Sequence, residues 1–361
     1  MEAQDFKKLP DTIERLAIRL EKDIRLRGLV PGDKYLFAKD AANLLDVSMM
    51  KAHRAMKLLA ERQILIRQPK AGTFIGPKFK CDESQAERRL NIIHIMMASD
   101  YHKTSHLSDK VFVEGVNKVL PHAAVQIHFV PEYDPIGYSE HIIKQVKTSS
   151  AKEGLVFIRS SKQVQQLVND SDVLASVFGS VYPGIQKLPS VDVDQEQLGT
   201  IIAEYMLQKG FKRFAVLMHH EWRRGDNIML NAITQKLGSE GIGLNCLDIY
   251  SLPCDRDVIA AEMESIIGVL TEPTGFICRD DFYAESLLQA MDKKNLSISD
   301  KIALISGGHL RKGERRSYPY IEPELDPQSQ IEILVKMMCD LASGKQLDKM
   351  HYTVPIRIHE P

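Results

Sequence analysis

No uninterrupted apolar run in this 361-residue sequence approaches the roughly 18–20 residues that a membrane-spanning helix needs. The opening stretch, MEAQDFKKLPD, has no hydrophobic segment of the signal-peptide kind, so a cytoplasmic location is expected. The five cysteines, Cys81, Cys246, Cys254, Cys278 and Cys339, are scattered and form no Cys-x-x-Cys pair. That spacing argues against a disulfide framework and against a thiolate zinc site. His219-His220-Glu221 lacks the i, i+4 histidine spacing of a helical zinc site. Also missing are Gly-x-x-x-x-Gly-Lys-Ser/Thr, a strand-linked Gly-x-Gly-x-x-Gly and Gly-x-Ser-x-Gly. GIGLNC (241–246) reads as a turn instead. No cofactor and no metal are expected, and no enzyme signature is present.

What is present is an ordinary globular composition, 44% hydrophobic and 26% charged, at a length that suits two or three domains. The net charge of −1 hides an asymmetry. Residues 1–80 hold 17 Lys and Arg against 10 Asp and Glu, leaving 30 against 38 for the remainder. A basic module on an acidic body is the layout expected when only the small module meets a polyanion.

The module reads as a winged helix-turn-helix over residues 1–78. Asp11 and Glu14 have capping-box spacing before a helix whose apolar face is Ile13, Leu16, Ala17, Leu20 and Ile24. Gly28 and Pro31-Gly32 end it. A short second helix covers 38–45, and Ser48 caps a third whose core face is Ala52, Ala55, Met56 and Leu59. Ile64–Arg67 and Thr73–Gly76 read as a hairpin around a Pro- and Gly-containing tip. Residues 79–89 are polar and read as a linker.

From residue 90 to 361 the texture is α/β. Apolar strand candidates at 91–97, 125–130, 154–160, 175–180, 213–219, 246–251, 275–280 and 301–306 alternate with amphipathic helix candidates. Helices are expected near 110–120, 140–148, 162–169, 195–209, 228–239, 256–270, 281–294 and 328–344, then a single closing strand, YTVPIRIHE. Roughly 270 residues of this pattern suit two doubly wound lobes of parallel sheet.

Residues 9–76 resemble the DNA-binding domain of the GntR family, through PGDK (31–34), LLDVS (44–48) and AGTFIG (71–76). Residues 90–361 resemble the effector domain of the LacI family, a periplasmic-binding-protein-like type I fold. EGLVFIRS, LPSVDVDQEQLGTIIAEYMLQKGFKRFAVL (188–217), CRDDFYAESLLQAM (278–291), ISDKIALISG and the closing IRIHEP carry that likeness. The combination is similar to that of the arabinose-responsive repressors. The resemblance implies a homodimeric repressor that binds a double-stranded DNA operator and is modulated by a small, sugar-like effector between the lobes.

The sequence departs from those families at named positions. Leu36-Phe37-Ala38 replaces Pro-Ser-Glu before the second helix, Asp46 replaces a glycine, and Met49 and His53 stand where the recognition helix usually has arginine. A helix in the major groove reads bases near its N-terminus, and arginine is the commonest reader because its fork matches guanine. Ser48, Met49, Met50, Lys51, His53, Arg54 and Lys57 are the candidate DNA contacts on the helix, and Lys70, Gly72 and Thr73 those of the wing. Met49 or Met50 suits a thymine methyl, His53 a single polar contact, and Arg54 and Lys57 suit phosphates. Arg19, Arg62 and Arg67 are weaker phosphate candidates.

Binding folds of this type hold ligand at the C-terminal ends of their strands. Those ends supply Ser99, Asp100, Arg159, Arg224, Asp280 and Asp281 as candidates, with Trp222 as a stacking surface for a sugar ring. Two alternatives remain open at this stage: a regulator or protein-interaction adaptor that has lost ligand sensing, and an α/β enzyme.

Overall fold

The computed structural model describes residues 12–68, 72–80, 89–99, 109–299, 301–308 and 316–361. Asp11, Lys70, Ala71, Cys81, Asp100 and most of the 79–89 segment, named above, lie outside them. The chain divides into two compact units, one reaching Asn91 and including Val119–Ala124, the other holding Ile92–Lys118 and Val125–Pro361.

In the first unit, helix α1 (Ile13–Leu26) is capped by Thr12, whose hydroxyl accepts from the Arg15 amide. Helix α2 (Ala38–Leu45) ends at Asp46, which sits in the left-handed region at φ 55°, ψ 51°. That conformation explains why glycine is usual there, since a Cβ is disfavoured in it. Helix α3 (Met49–Glu61) starts at Ser48, whose hydroxyl accepts from Lys51. Strands β1 (Lys34–Tyr35), β2 (Leu65–Gln68) and β3 (Gly72–Ile75) form an antiparallel sheet in the order β1-β3-β2. The predicted apolar faces of α1 and α3 are buried in one core with Tyr35, Leu45, Leu65 and Ile75.

The second unit holds two six-stranded sheets, one per lobe. The first lobe runs β14-β8-β7-β6-β4-β5, with β4 Ile92–Ala98, β5 Ala124–Val130, β6 Glu153–Ile158, β7 Ala175–Phe178, β8 Ser190–Val193 and β14 His351–Val354. Its helices are α4 (Asp109–Val119), α5 (Pro135–Thr148), α6 (Lys162–Asp170) and α11 (Pro327–Ala342). The second lobe runs β10-β9-β11-β12-β13-β15, with β9 Arg213–His219, β10 Leu247–Leu252, β11 Thr274–Cys278, β12 Ile302–Ser306, β13 Tyr320–Pro323 and β15 Ile356–His359. Its helices are α7 (Gln195–Gln208), α8 (Arg224–Ser239), α9 (Arg256–Gly268) and α10 (Asp281–Lys293). The assigned pairings are parallel except β13 with β15. The α7–α8 packing is close: a Cβ on Gly199 would lie 2.3 Å from the Met229 carbonyl oxygen.

Three expectations change. The closing strand is two strands, because Pro355 interrupts it and β14 and β15 join different sheets. Helix α5 starts five residues earlier than expected, since Asp134 caps it and Pro135 takes its first turn. Strands β1, β8 and β13 were not foreseen: at two to four residues they carry no periodicity to read. Among the described residues no helix is long and apolar enough to cross a membrane.

Candidate functional site

In each lobe the strand order reverses beside the first strand, β4 in one and β9 in the other, which places ligand sites beyond the carboxyl ends of the strands. A cavity of about 130 Å³ lies there, walled by both lobes. The first lobe contributes Arg159, Ser160, Phe178 and Asp192, and the second His219, Arg224, Asp226 and Arg279. A neighbouring cavity of about 370 Å³ shares Ile158, Arg159, Ser160 and Arg223 with it. Hydrogen bonds between described residues tie the lobes at this seam, among them Gln195 to Asp192 at 3.1 Å. Arg223 donates from Nε to the Arg159 carbonyl at 2.8 Å, and Arg159 donates to the Glu221 carbonyl at 3.4 Å. Arg159 adopts φ 54°, a strained backbone for a non-glycine residue and a frequent companion of functional sites.

The floor is an ion pair. Asp226, 1% exposed, sits in the first turn of α8 and accepts from the Arg223 amide at 2.7 Å and from Arg279 Nε at 2.5 Å. Burial pushes its carboxyl upward, but the Arg279 and Arg159 guanidiniums outweigh this and hold it at about 2. Arg279 also donates to Gln195. Asp192 is the reverse case. Burial raises its carboxyl above the ordinary range, against donation from Ser180, Gln195 and the Val193 amide.

The expected ligand residues separate on inspection. Arg159, Arg224, Asp280 and Asp281 meet at the smaller cavity, and Ser99 lines the larger one while donating to Glu132. The two aspartates are already engaged. Asp280 caps α10 through the Phe282 and Tyr283 amides and pairs with His219 at 2.8 Å. Burial opposes its charged form, but the His219 imidazole wins, and its carboxyl is lowered. Asp281, 1% exposed, accepts from Ser306, Arg316 and Tyr318 at 2.8–3.2 Å. Both carboxylates therefore shape the wall more than they offer open acceptors. The Arg224 guanidinium has no hydrogen-bond or ion-pair partner among the described residues and is the open cation of the cavity. Trp222 lines neither cavity. It packs on the second-lobe core and donates from Nε1 to Ser251 at 3.1 Å, which takes it away from a stacking position. Asp192, Asp226, Gln195 and Gln330 were missed. Asp226 had a signal, as an acidic residue in the first turn of the helix that WRRGDN opens, whereas the glutamines had none.

In the first unit, the α3 surface presents Met49 and Met50, 62% and 67% exposed, beside exposed Lys51, His53, Arg54 and Lys57. His53 is not open on both sides. Arg67 on β2 donates to its Nε2 at 2.9 Å, which leaves only Nδ1, as a donor, for another partner. Ser48 is committed to its cap, Arg62 to a two-pronged contact with Glu14, and Arg19 to the Leu45 carbonyl. Gly72 has φ 120°, while Thr73 is 4% exposed, so its side chain faces the core and not a strand of DNA. Among the described residues no group of three His, Cys, Asp or Glu is arranged to hold a metal.

Residues 203–360 match the family model of a periplasmic binding protein-like domain. No curated protein matches the sequence. Solved structures do match in fold. The transcription regulator CcpA of Lactococcus lactis has a TM-score of 0.61 at 13% identity, over 75% of this chain and 98% of its own. A LacI family transcriptional regulator from Enterococcus faecium with bound ribose has a TM-score of 0.59 at 11% identity, over 75% and 97%. The transcriptional regulator CelR in complex with cellobiose has a TM-score of 0.61 at 10% identity, over 97% and 98%. At these identities the likeness is one of fold: two parallel-sheet α/β lobes of the periplasmic-binding-protein type.

Proposed function

We propose that the chain is a ligand-modulated transcription regulator, acting as a homodimeric repressor. Residues 1–78 would form a GntR-type winged helix-turn-helix that binds operator DNA, residues 79–89 a linker, and residues 90–361 the effector and dimerisation domain. The observation that carries this reading is the polar two-lobed cleft with Arg224 open in it, in a chain whose basic N-terminal module exposes α3. The fold likeness to sugar-bound regulators supports a small sugar-like effector. At about 130 Å³ the cavity is below the roughly 300 Å³ of ordinary ligand sites, so a disaccharide would need the lobes to part. A ligand that favours one lobe arrangement shifts the equilibrium by its differential affinity, and in a dimer that changes DNA affinity.

On α3, Met49 and Met50 meet thymine methyls, His53 donates one bond from Nδ1, and Arg54 and Lys57 anchor phosphates. Selection from a random duplex pool tests this. Replacing Arg54 and Lys57 by alanine should weaken binding to all sequences alike and flatten the salt dependence. Replacing Met49 and Met50 should change the preferred sequence. A pool that yields no enrichment ends the regulator reading. A thermal-shift panel of mono- and disaccharides tests the cleft. A true effector at 100-fold its Kd stabilises by about 2.7 kcal/mol, and Arg224→Ala should abolish that gain.

A further inference from the structure

One cluster in the second lobe shares His219 and Asp280 with the cleft wall but carries a chemistry that neither binding reading uses. Cys254 is partly exposed in the loop between β10 and α9. Its Sγ lies 3.6 Å from His219 Nδ1. His219, 2% exposed at the end of β9, places its other nitrogen, Nε2, 2.8 Å from Asp280 Oδ2. The Tyr283 hydroxyl packs at 3.1 Å from the same Nδ1 and donates to the Leu252 carbonyl at 3.1 Å.

Counting hydrogens assigns the tautomer. A carboxylate only accepts, so the His219 nitrogen facing Asp280 must carry its proton. In the neutral ring Nδ1 is then the acceptor. The Tyr283 hydroxyl reaches the Leu252 carbonyl, Nδ1 and the Cys254 side chain, so the Cys254 thiol and the Tyr283 hydroxyl are the two groups that approach Nδ1. The order is thiol, imidazole, carboxylate: a nucleophile, its base and the group that orients the base. Other charges nearby include Asp255 beside the thiol, which is occupied capping α9, Arg279, which acts on Asp280, and Arg159, which acts on Tyr283.

We propose that Cys254 is a nucleophilic thiol, activated by the His219–Asp280 pair, and a modification site for hydroperoxides and other small soft electrophiles. With a hydroperoxide, His219 Nδ1 takes the thiol proton and sulfur attacks the terminal peroxide oxygen. The O–O bond breaks, and the departing oxygen recovers the proton from His219 as water or an alcohol. Sulfur is oxidised by two electrons to the sulfenic acid, and the peroxide is reduced by two. Because His219 and Asp280 also line the cleft cavity, the added oxygen bears on a wall of that cavity. The proposal stands whether or not the cleft binds a sugar.

The other described thiols are internal controls. Cys246 is also partly exposed but has no side-chain partner among the described residues. Cys339 is half-buried, and burial pushes its thiol up to about 11. Cys278 is buried. The full-length protein is pulsed with iodoacetamide at pH 7 and each cysteine peptide is quantified by mass spectrometry. An ordinary thiol is only a few per cent ionised at that pH, so Cys254 should react about tenfold faster than Cys246, with Cys339 and Cys278 slower still. His219→Gln should bring Cys254 to the Cys246 rate and leave Cys246 unchanged. Asp280→Asn should do the same while still capping α10, so it serves if His219→Gln does not fold. Stoichiometric hydrogen peroxide followed by dimedone should label Cys254 first. A wild-type Cys254 rate equal to that of Cys246 overturns the proposal, and so does a rate advantage that survives in the folded variants.

Discussion

Asp226→Asn isolates the electrostatic keystone of the cleft. The carboxylate is almost fully buried, pairs with Arg279 Nε at 2.5 Å and is held at about 2 against an ordinary 3.8. At 1.36 kcal/mol per tenfold in proton affinity, the folded state favours the ion by about 2 kcal/mol at pH 7. The sign follows from the lowered carboxyl. The stabilisation is complete above the unfolded value near 4 and is lost as pH falls through 2. Asparagine keeps the shape but not the charge, and it leaves the Arg279 guanidinium without its partner. The variant should therefore be at least about 2 kcal/mol less stable at pH 7, about half that at pH 3, and equal to the wild type below pH 2. Urea unfolding read by the fluorescence of Trp222, the single tryptophan and packed on the same lobe's core, gives the comparison directly. A difference that does not narrow between pH 7 and pH 3 would falsify the ion-pair account, as would a pH 7 loss under about 1 kcal/mol.

Two further substitutions probe the framework. Gly199→Ala should destabilise the second lobe by about 1–3 kcal/mol in the same assay, because the new methyl meets the Met229 carbonyl of α8, which is backbone and cannot rotate away. Asp46→Gly should stabilise the N-terminal unit by about 0.5–1 kcal/mol, since glycine carries no penalty at φ 55°. Thermal unfolding of the variant by circular dichroism checks it, and a loss of stability would mean that the Asp46 side chain holds the turn in a way its backbone does not reveal.

The α/β alternation and the helical faces of the first unit were legible because both rest on periodicity, and burial follows period. Leu16, Ala17, Leu20 and Ile24 fell where spacing put them. The closing strands were not legible, because VPI looks continuous until one knows that two sheets compete for it. Residue positions in the cleft were half legible. Strand ends named Arg159, Asp280 and Asp281. Sequence could not tell that Ser306, Arg316 and Tyr318 had already satisfied Asp281, or that Arg67 from the hairpin holds His53. Partner assignment depends on contacts between distant segments, and Trp222 shows the converse: an attractive side chain turned to the core by its own hydrogen bond.

The passage of the chain through Val354, Pro355 and Ile356 bears on how the protein is made. Strand β14 lies at the edge of the first lobe, and one residue later β15 enters the second. Helix α11, which packs on β7 and β8, is also drawn from beyond residue 326. On the ribosome, neither lobe is thus finished until the final strands emerge, β14 closing the first and β15 the second directly after it. Until residue 354 has emerged, β8 waits with an unpaired edge and an uncovered face, a state that invites pairing with other chains. Neither lobe corresponds to one contiguous stretch of message, so the two must mature together, and a nascent chain stalled before residue 327 exposes half-built sheet to whatever chaperones attend it.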